Sequence, residues 1–379
     1  MPFSVLSVPS VVNLFLSAVV FFYLLFLRLR LDSMDTALFD YVLPPELIAQ
    51  EPFEPRDAAR LLVAGRHAGE PEHRNVRDLP SYLRSGDLLV LNRTRVIPAR
   101  LFGRKESGGE VEVLLIHPEP PEQTQSDNRP HWRCLIRGKV RIGSAITLDD
   151  VRAEVTACHA DGERVLAFPL GTSVLALADR IGHIPLPPYI RRADRADDRE
   201  RYQTVFGDSP GSVAAPTASL HLTRPLLERI AALGVATAHV DLAIGPGTFK
   251  PVDTEHVEDF RIHAEHCACP LATVEAIIAC RARGGRVIAI GTTVVRTLET
   301  ASAQAGGFAP YAGWTSLFMY PPRKPTVVDA LMTNFHLPRS SLLMLVACFT
   351  GVDRLHELYR TSVEQRYRFF SYGDAMFLY

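Results

Sequence analysis

From about Ala99 to Gly182 the chain is built from short β-rich runs, and this stretch interrupts a sequence that alternates helix and strand patterns on both sides. Leu101-Phe, Val111-Glu-Val-Leu-Leu-Ile and Trp132-Arg-Cys-Leu-Ile alternate with turns at Ser107-Gly-Gly, at Asp161-Gly and in the polar run 122–130. No convincing amphipathic helix intervenes before Val174 to Ile181. Short strands at regular spacing, bounded by turn residues, predict a small antiparallel barrel. The flanks read as one continuing pattern. The expected fold class is therefore mixed α/β: a main domain from 34–98 and 183–379, with an inserted antiparallel β-barrel at 99–182.

The flanks carry their own signals. Leu43-Pro-Pro-Glu-Leu-Ile-Ala-Gln reads as a turn into a short helix, with Pro45 suited to a first turn. Leu61-Leu-Val and Asp87-Leu-Leu-Val-Leu-Asn read as buried strands, and 79–83 as a short helix closed by Gly86. Thr223 is a good N-cap for a helix running to Gly234. Next comes a strand in which Ala236, Ala238, Val240, Leu242 and Ile244 share one face. Thr273 is expected to cap a helix over 274–283, followed by a strand at 286–290 and a helix at 294–303. Ser340 caps the apolar helix 341–349, which stops at Gly351.

Composition narrows the class without naming a function. Charged residues are 22% and hydrophobic ones 47%, as in ordinary globular proteins. The net charge of -1 does not announce a nucleic-acid binder, although a local basic patch can sit on a neutral protein. Six cysteines without repeating spacing argue against a disulfide framework and for a reducing compartment. Residues 1–33 stand apart. Val11 to Leu27 is almost wholly apolar and Arg28 and Arg30 follow, about long enough for a short membrane span. The segment lacks the basic start and cleavage site of a secretory signal. Arginines after a span would keep the rest on the cytoplasmic side. The globular pattern begins at Met34, so the expected reading is an extension ahead of the true start, with a cytoplasmic domain behind it.

Six segments hold residues suited to chemistry. Gly291-Thr-Thr follows a strand and opens a helix, so free N–H groups at Thr292 and Thr293 suit a carboxylate or phosphate, with Arg296 one turn in. The same residues would also make a plain capped turn. Gly211 to Thr223 gathers small residues with Thr217, Ser219 and His221, letting a ligand approach the backbone closely; it is also a common loop composition. Gly245-Pro-Gly-Thr-Phe-Lys-Pro-Val places Gly247 and Thr248 at a strand's carboxyl end, as a ligand edge or a rigid turn. His263-Ala-Glu-His-Cys-Ala-Cys lacks the second ligand pair of a zinc site, so no metal is expected. If extended, it sends His263 and Glu265 to one side. His336 in Thr333-Asn-Phe-His-Leu-Pro reads as a reactive or a structural imidazole. Arg368 and Asp374 stand among aromatics that would suit a sulfonium or a folded core.

Singly these segments are weak, but their order is not. Leu43-Pro-Pro-Glu-Leu-Ile-Ala-Gln, Gly86-Asp-Leu-Leu-Val-Leu-Asn, Val96-Ile-Pro-Ala-Arg, Pro185-Leu-Pro-Pro-Tyr-Ile and Arg201-Tyr-Gln-Thr-Val form one series. Gly211 to Thr223, Gly247-Thr-Phe-Lys-Pro-Val, Gly291-Thr-Thr, Asn334-Phe-His-Leu-Pro and Tyr367 to Met376 continue it. Together they resemble the S-adenosylmethionine:tRNA ribosyltransferase-isomerase family from about Phe39 to Leu378. The sequence departs from that pattern at Ser219, where glycine is usual, at Leu222 for phenylalanine, and at Ala243 for histidine.

The resemblance implies an α/β domain with an inserted barrel and two substrates. These are S-adenosylmethionine, consumed rather than bound permanently, and tRNA bearing 7-aminomethyl-7-deazaguanine at the wobble position. The ribosyl group is transferred and isomerised, giving epoxyqueuosine with release of adenine and methionine. Such chemistry needs a base for the ribose proton beside the sulfonium and an acid for the leaving adenine. The candidates are His221, His263, His336 and Asp374, with Glu265 behind them. Thr217, Ser219, Gly247, Thr248, Gly291, Thr292, Thr293, Arg296 and Arg368 are candidates for substrate binding. Arg95, Arg100, Arg104 and Lys105 could meet tRNA phosphates. A monomer is expected. Two other readings remain: an S-adenosylmethionine-dependent RNA methyltransferase, for which the N-terminal half offers no glycine-rich loop, and a non-catalytic tRNA-binding protein.

Overall fold

The computed structural model describes residues 33–119 and 128–379; the apolar segment Val11 to Leu27 and part of the polar run 122–130 lie outside them. The first α/β portion supplies strands β1 (Arg60–Ala64), β2 (Glu72–Asn75), β3 (Leu88–Asn92) and β4 (Thr94–Val96). The chain then enters β5 (Arg100–Lys105), β6 (Glu110–Pro118), β7 (His131–Arg137), β8 (Ala145–Leu148), β9 (Val151–Cys158) and β10 (Arg164–Ala167). These six close into a barrel in the order β10-β7-β6-β5-β8-β9, as the insertion predicted. Helix α1 (Val174–Ile181) packs Val174, Leu177 and Ala178 into the barrel's core beside Leu101, Val113 and Trp132.

After α1 come α2 (Asp198–Arg201), β11 (Ser209–Ser212), α3 (Arg224–Ala232), β12 (Ala236–Leu242) and β13 (Glu265–Cys269). They are followed by α4 (Leu271–Ala282), β14 (Val287–Ile290), α5 (Thr292–Ser302), β15 (Tyr311–Thr315) and β16 (Ala330–Asn334). The chain ends with α6 (Ser341–Thr350), α7 (Val352–Glu364) and β17 (Ala375–Leu378). The main sheet runs β15-β13-β12-β3-β14-β16-β17-β1-β2. Its middle, β12-β3-β14-β16, is parallel, whereas β13, β15 and β2 add antiparallel edges.

Strands β3 and β14 read as apolar runs because both faces are covered, whereas β12 alternates and buries Ala238, Val240 and Leu242. In β3, Leu88 and Val90 join one core and Leu89 and Leu91 the other. Thr223 and Ser340 cap their helices as expected, accepting from the N–H groups of Leu226 and Leu343. Thr273 does not cap. Pro270 presets the backbone, so α4 starts at Leu271, and the buried Thr273 hydroxyl donates to the His239 carbonyl at 2.5 Å. The helix expected at 79–83 is a 3-10 run over Val76–Tyr82, started early by the Asp78 carboxylate accepting from the Asn75 N–H. Among the described residues no helix is long and apolar enough to cross a membrane.

Candidate functional site

Parallel strands deliver their connecting loops to one edge, and the barrel is inserted at that edge directly after β3 and β4. A cleft of about 400 Å³ opens where barrel and sheet meet. The main domain lines it with Gly245 to Gly247 and Lys250 after β12, His263 to Glu265 at the start of β13, and Trp314 on β15. The barrel contributes His117, Arg133, Asp161 and Glu163. His117 arrives there through a bulge. Pairing of β6 with β7 shifts between Leu115 and His117, so Leu115 and Ile116 are both buried and His117 turns outward toward Trp314, 4.9 Å between ring centroids.

One carboxylate orders the sheet side of the cleft. The Glu265 side chain, 5% exposed, accepts from the Gly245 N–H at 2.8 Å and the Thr248 hydroxyl at 2.9 Å through Oε1. Its Oε2 meets the equally buried guanidinium of Arg296 from α5, which also donates to the Leu317 carbonyl at 3.1 Å. Gly247 is required here by space: a Cβ would sit 2.6 Å from His263 Cδ2. On the barrel side Arg133 is held between Glu119 at 2.9 Å and Glu163 at 3.2 Å. Burial alone would raise the Glu119 pKa, but its hydrogen bonds to Arg133 and the charge there prevail and lower it.

A second group of polar side chains gathers at the carboxyl ends of β14 and β16, deeper in the domain. Gly291 has φ +101°, the left-handed region that glycine tolerates, and Thr292 and Thr293 behind it are buried. The 3-10 turn Thr217–His221 packs across this edge. Asn334 contacts His221 Nε2 at 3.2 Å and donates to the Phe370 carbonyl at 3.0 Å, tying the three loops together. Burial, reinforced by the Arg368 charge, lowers the His221 pKa to about 4. Burial takes His336 to about 3; its Nε2 meets the Thr333 hydroxyl at 2.9 Å. Asp374 is fully buried, accepting from the N–H groups of Arg60 and Arg368 at 2.7 Å each. Burial nevertheless raises its pKa.

A family model described as queuosine biosynthesis protein matches residues 36–378. The S-adenosylmethionine:tRNA ribosyltransferase-isomerase of Geobacter sulfurreducens is 50% identical over 344 residues, covering 90% of this chain and 98% of the relative. That of an Anaeromyxobacter species is 51% identical over 343 residues, covering 90% and 97%. The chain belongs to this family. A crystal structure of an S-adenosylmethionine tRNA ribosyltransferase from Thermotoga maritima is 40% identical, covers 90% of this chain and all of its own, and superposes with a TM-score of 0.52. The resemblance read from the ordered sequence blocks is borne out.

In this member of the ribosyltransferase-isomerase family the residues singled out from sequence fall into three places. Gly247 and His263 line the interdomain cleft, with Thr248 and Arg296 tied to Glu265 in its wall. Thr217, Ser219, His221, Gly291, Thr292, Thr293, His336, Arg368 and Asp374 belong to the deeper group or its surroundings. There Ser219 is buried, its hydroxyl without a hydrogen-bond partner among the described residues, and Leu222 fills the core. Arg368 lies over the Phe53 ring at 4.2 Å and donates to the Tyr372 carbonyl at 3.0 Å. The terminal aromatics Tyr367 and Phe369 are fully buried, and Arg60 covers the Tyr367 ring. Ala243 is held in the strand edge by its N–H to the His266 carbonyl.

Of the four cations assigned to phosphates, Arg100 pairs with Glu112 at 2.7 Å and Arg104 with Glu110 at 2.9 Å. Lys105 reaches the Lys139 carbonyl at 3.4 Å, and Arg95 is exposed. Among the described residues no His, Cys, Asp and Glu cluster is arranged to hold a metal. Sequence reasoning passed over His117, Arg133, Glu163, Lys250 and Trp314. A bulge and a domain-domain contact create their site, and neither leaves a motif.

Proposed function

We propose that this chain transfers the ribosyl group of S-adenosylmethionine to 7-aminomethyl-7-deazaguanine in tRNA and isomerises it, giving epoxyqueuosine with adenine and methionine released. The observation that carries the reading is identity of about half, over nine-tenths of the chain, to ribosyltransferase-isomerases that it matches almost end to end. The interdomain cleft is the reaction site in this account. It is lined by both domains of one chain and carries an imidazole beside a fixed carboxylate, an arrangement compatible with a monomer. S-adenosylmethionine enters as a consumed substrate. A tRNA substrate suits a cytoplasmic enzyme.

The residues divide by what their surroundings allow. His263, half-buried in the cleft wall against Gly247, is the candidate base for the ribose proton that the sulfonium acidifies. Glu265 has both oxygens occupied, so it holds the 245–248 loop in shape rather than taking a proton. His221 and His336 are neutral at pH 7 and act as hydrogen-bonding partners in the deeper group. Incubation with S-adenosylmethionine and tRNA bearing the aminomethyl base tests the proposal: adenine and methionine should appear together, in step with the modified base. Formation of S-adenosylhomocysteine instead would refute it.

A further inference from the structure

The reaction cleft shares a wall with a second groove. Leu135, Pro246 and Lys250 line both, and the groove, about 750 Å³, continues between the barrel face and the segment 185–193. Arg100, Arg137, Arg191, Arg192 and Lys250 line it against a single carboxylate, Glu112. Two of these cations are already satisfied: Arg100 by Glu112 at 2.7 Å, and Arg192 by Asp198 at 2.6 Å and Glu51 at 3.0 Å. The others are less engaged. The 85% exposed Arg137 side chain makes only a long ion pair, 3.8 Å, to the Glu112 that Arg100 already holds, and Arg191 and Lys250 are exposed. Among the described residues neither of the latter has a side-chain hydrogen bond or ion pair.

Across the cleft stands Trp314, 43% exposed and therefore unlike the other indole, Trp132, which is buried in the barrel. His117 and His266 meet it edge to face, at 4.9 and 5.7 Å between centroids, fixing the ring while much of it stays open. A row of exposed cations with little carboxylate to answer them, leading to a fixed aromatic plane, is how proteins bind single-stranded nucleic acid without reading its sequence: the cations track phosphates and the ring stacks on a base. A small free anion would engage the cations and leave the indole bare, whereas a single RNA strand engages cations and ring together.

We propose that groove and cleft form one track for an unpaired RNA strand, in which Arg137, Arg191 and Lys250 each meet a phosphate and Trp314 stacks on a base entering the cleft. This rests on the reading that tRNA is the substrate, and it moves the phosphate contacts from Arg95, Arg100, Arg104 and Lys105 to three other residues.

The test uses the full chain with Trp132→Phe, so that Trp314 is the only indole. Titration with an anticodon stem-loop RNA should quench its emission, whereas S-adenosylmethionine or adenosine alone should not. Three phosphate contacts to a single strand give a slope of log affinity against log salt of about -2, and each of Arg137→Ala, Arg191→Ala and Lys250→Ala should reduce it by about 0.7. Arg360→Ala, on the exposed side of α7 and outside both clefts, should leave the slope unchanged. Unchanged slopes in all three groove variants would overturn the track. So would quenching by S-adenosylmethionine but not by RNA, which would make Trp314 a platform for the adenine of that substrate. Product analysis separates this from the reaction itself. Turnover with unchanged slopes refutes the track alone, and RNA binding along the track without turnover refutes the reaction alone.

Discussion

The Arg296–Glu265 pair is the most exacting test of how the cleft is held in shape. Both side chains are 5% exposed, so neither charge can fall back on water when its partner is removed. Arg296→Met leaves Glu265 with the Gly245 N–H and Thr248 hydroxyl on one oxygen and nothing on the other. Glu265→Gln leaves the guanidinium facing an amide, with only the Leu317 carbonyl as acceptor. Breaking one side of a buried pair costs about 3–5 kcal/mol, consistent with losing a charge-assisted hydrogen bond and stranding the remaining charge. The double variant strands neither charge, and its carboxamide can still accept from Gly245 and Thr248. Its loss should fall short of the summed single losses by at least about 2 kcal/mol. Urea unfolding followed by far-ultraviolet circular dichroism, fitted for midpoint and slope, gives all three values. Single losses below about 1 kcal/mol, or a double variant equal to the sum, would refute the idea that this pair fixes the loop 245–248.

Other outcomes follow from the same geometry. His221 and His336 are neutral when folded and charge only near pH 4 and 3, far below their ordinary 6.5. The unfolded chain therefore takes up the extra protons. Their stabilisation is complete above pH 6.5 and lost as pH falls toward 4 and 3, at up to about 1.4 kcal/mol per pH unit for each. Asp374, raised by burial, opposes this near the acid end, and His336→Gln should remove one contribution from the slope measured by unfolding at stepped pH. His263→Ala should lower the turnover rate by about 10²–10⁴-fold in a single-turnover assay, and a loss under threefold would remove it as the base. Gly247→Ala drives a methyl into His263, so kcat should fall in the same direction, with an overpacking cost of about 1–3 kcal/mol in urea stability. Wild-type kcat in this variant would show that the imidazole position is unimportant.

The fold was legible where local chemistry is decisive. The strand runs at Leu88 to Leu91 and Val287 to Ile290 are apolar on both faces, and Thr223 and Ser340 carry their own capping oxygens. The barrel showed itself by turn spacing. Thr273 misled because a threonine before an apolar run resembles a cap, while Pro270, three residues earlier, had already set the backbone. The site was less legible. His263 and Glu265 stand two apart, and an extended chain brings them to one wall. What sequence periodicity cannot express is a face made by two domains: His117 reaches the cleft only because β6 bulges at Ile116, and Lys250 and Trp314 join it from separate loops and strands. The deeper histidines stood in segments that read equally as ordinary loops, and they lie buried behind hydrogen-bonded loops. Burial, which sets their pKa, is a property of the whole packed edge rather than of the pentapeptide Asn334 to Pro338.

The central claim is that S-adenosylmethionine is dismantled here rather than used for methylation. Mass-resolved products from the full chain, S-adenosylmethionine and tRNA carrying the aminomethyl base decide it. Adenine, methionine and a tRNA base heavier by the isomerised ribosyl group are expected in equal amounts. A methylated base with S-adenosylhomocysteine, or bound tRNA with the sulfonium compound left intact, would contradict it.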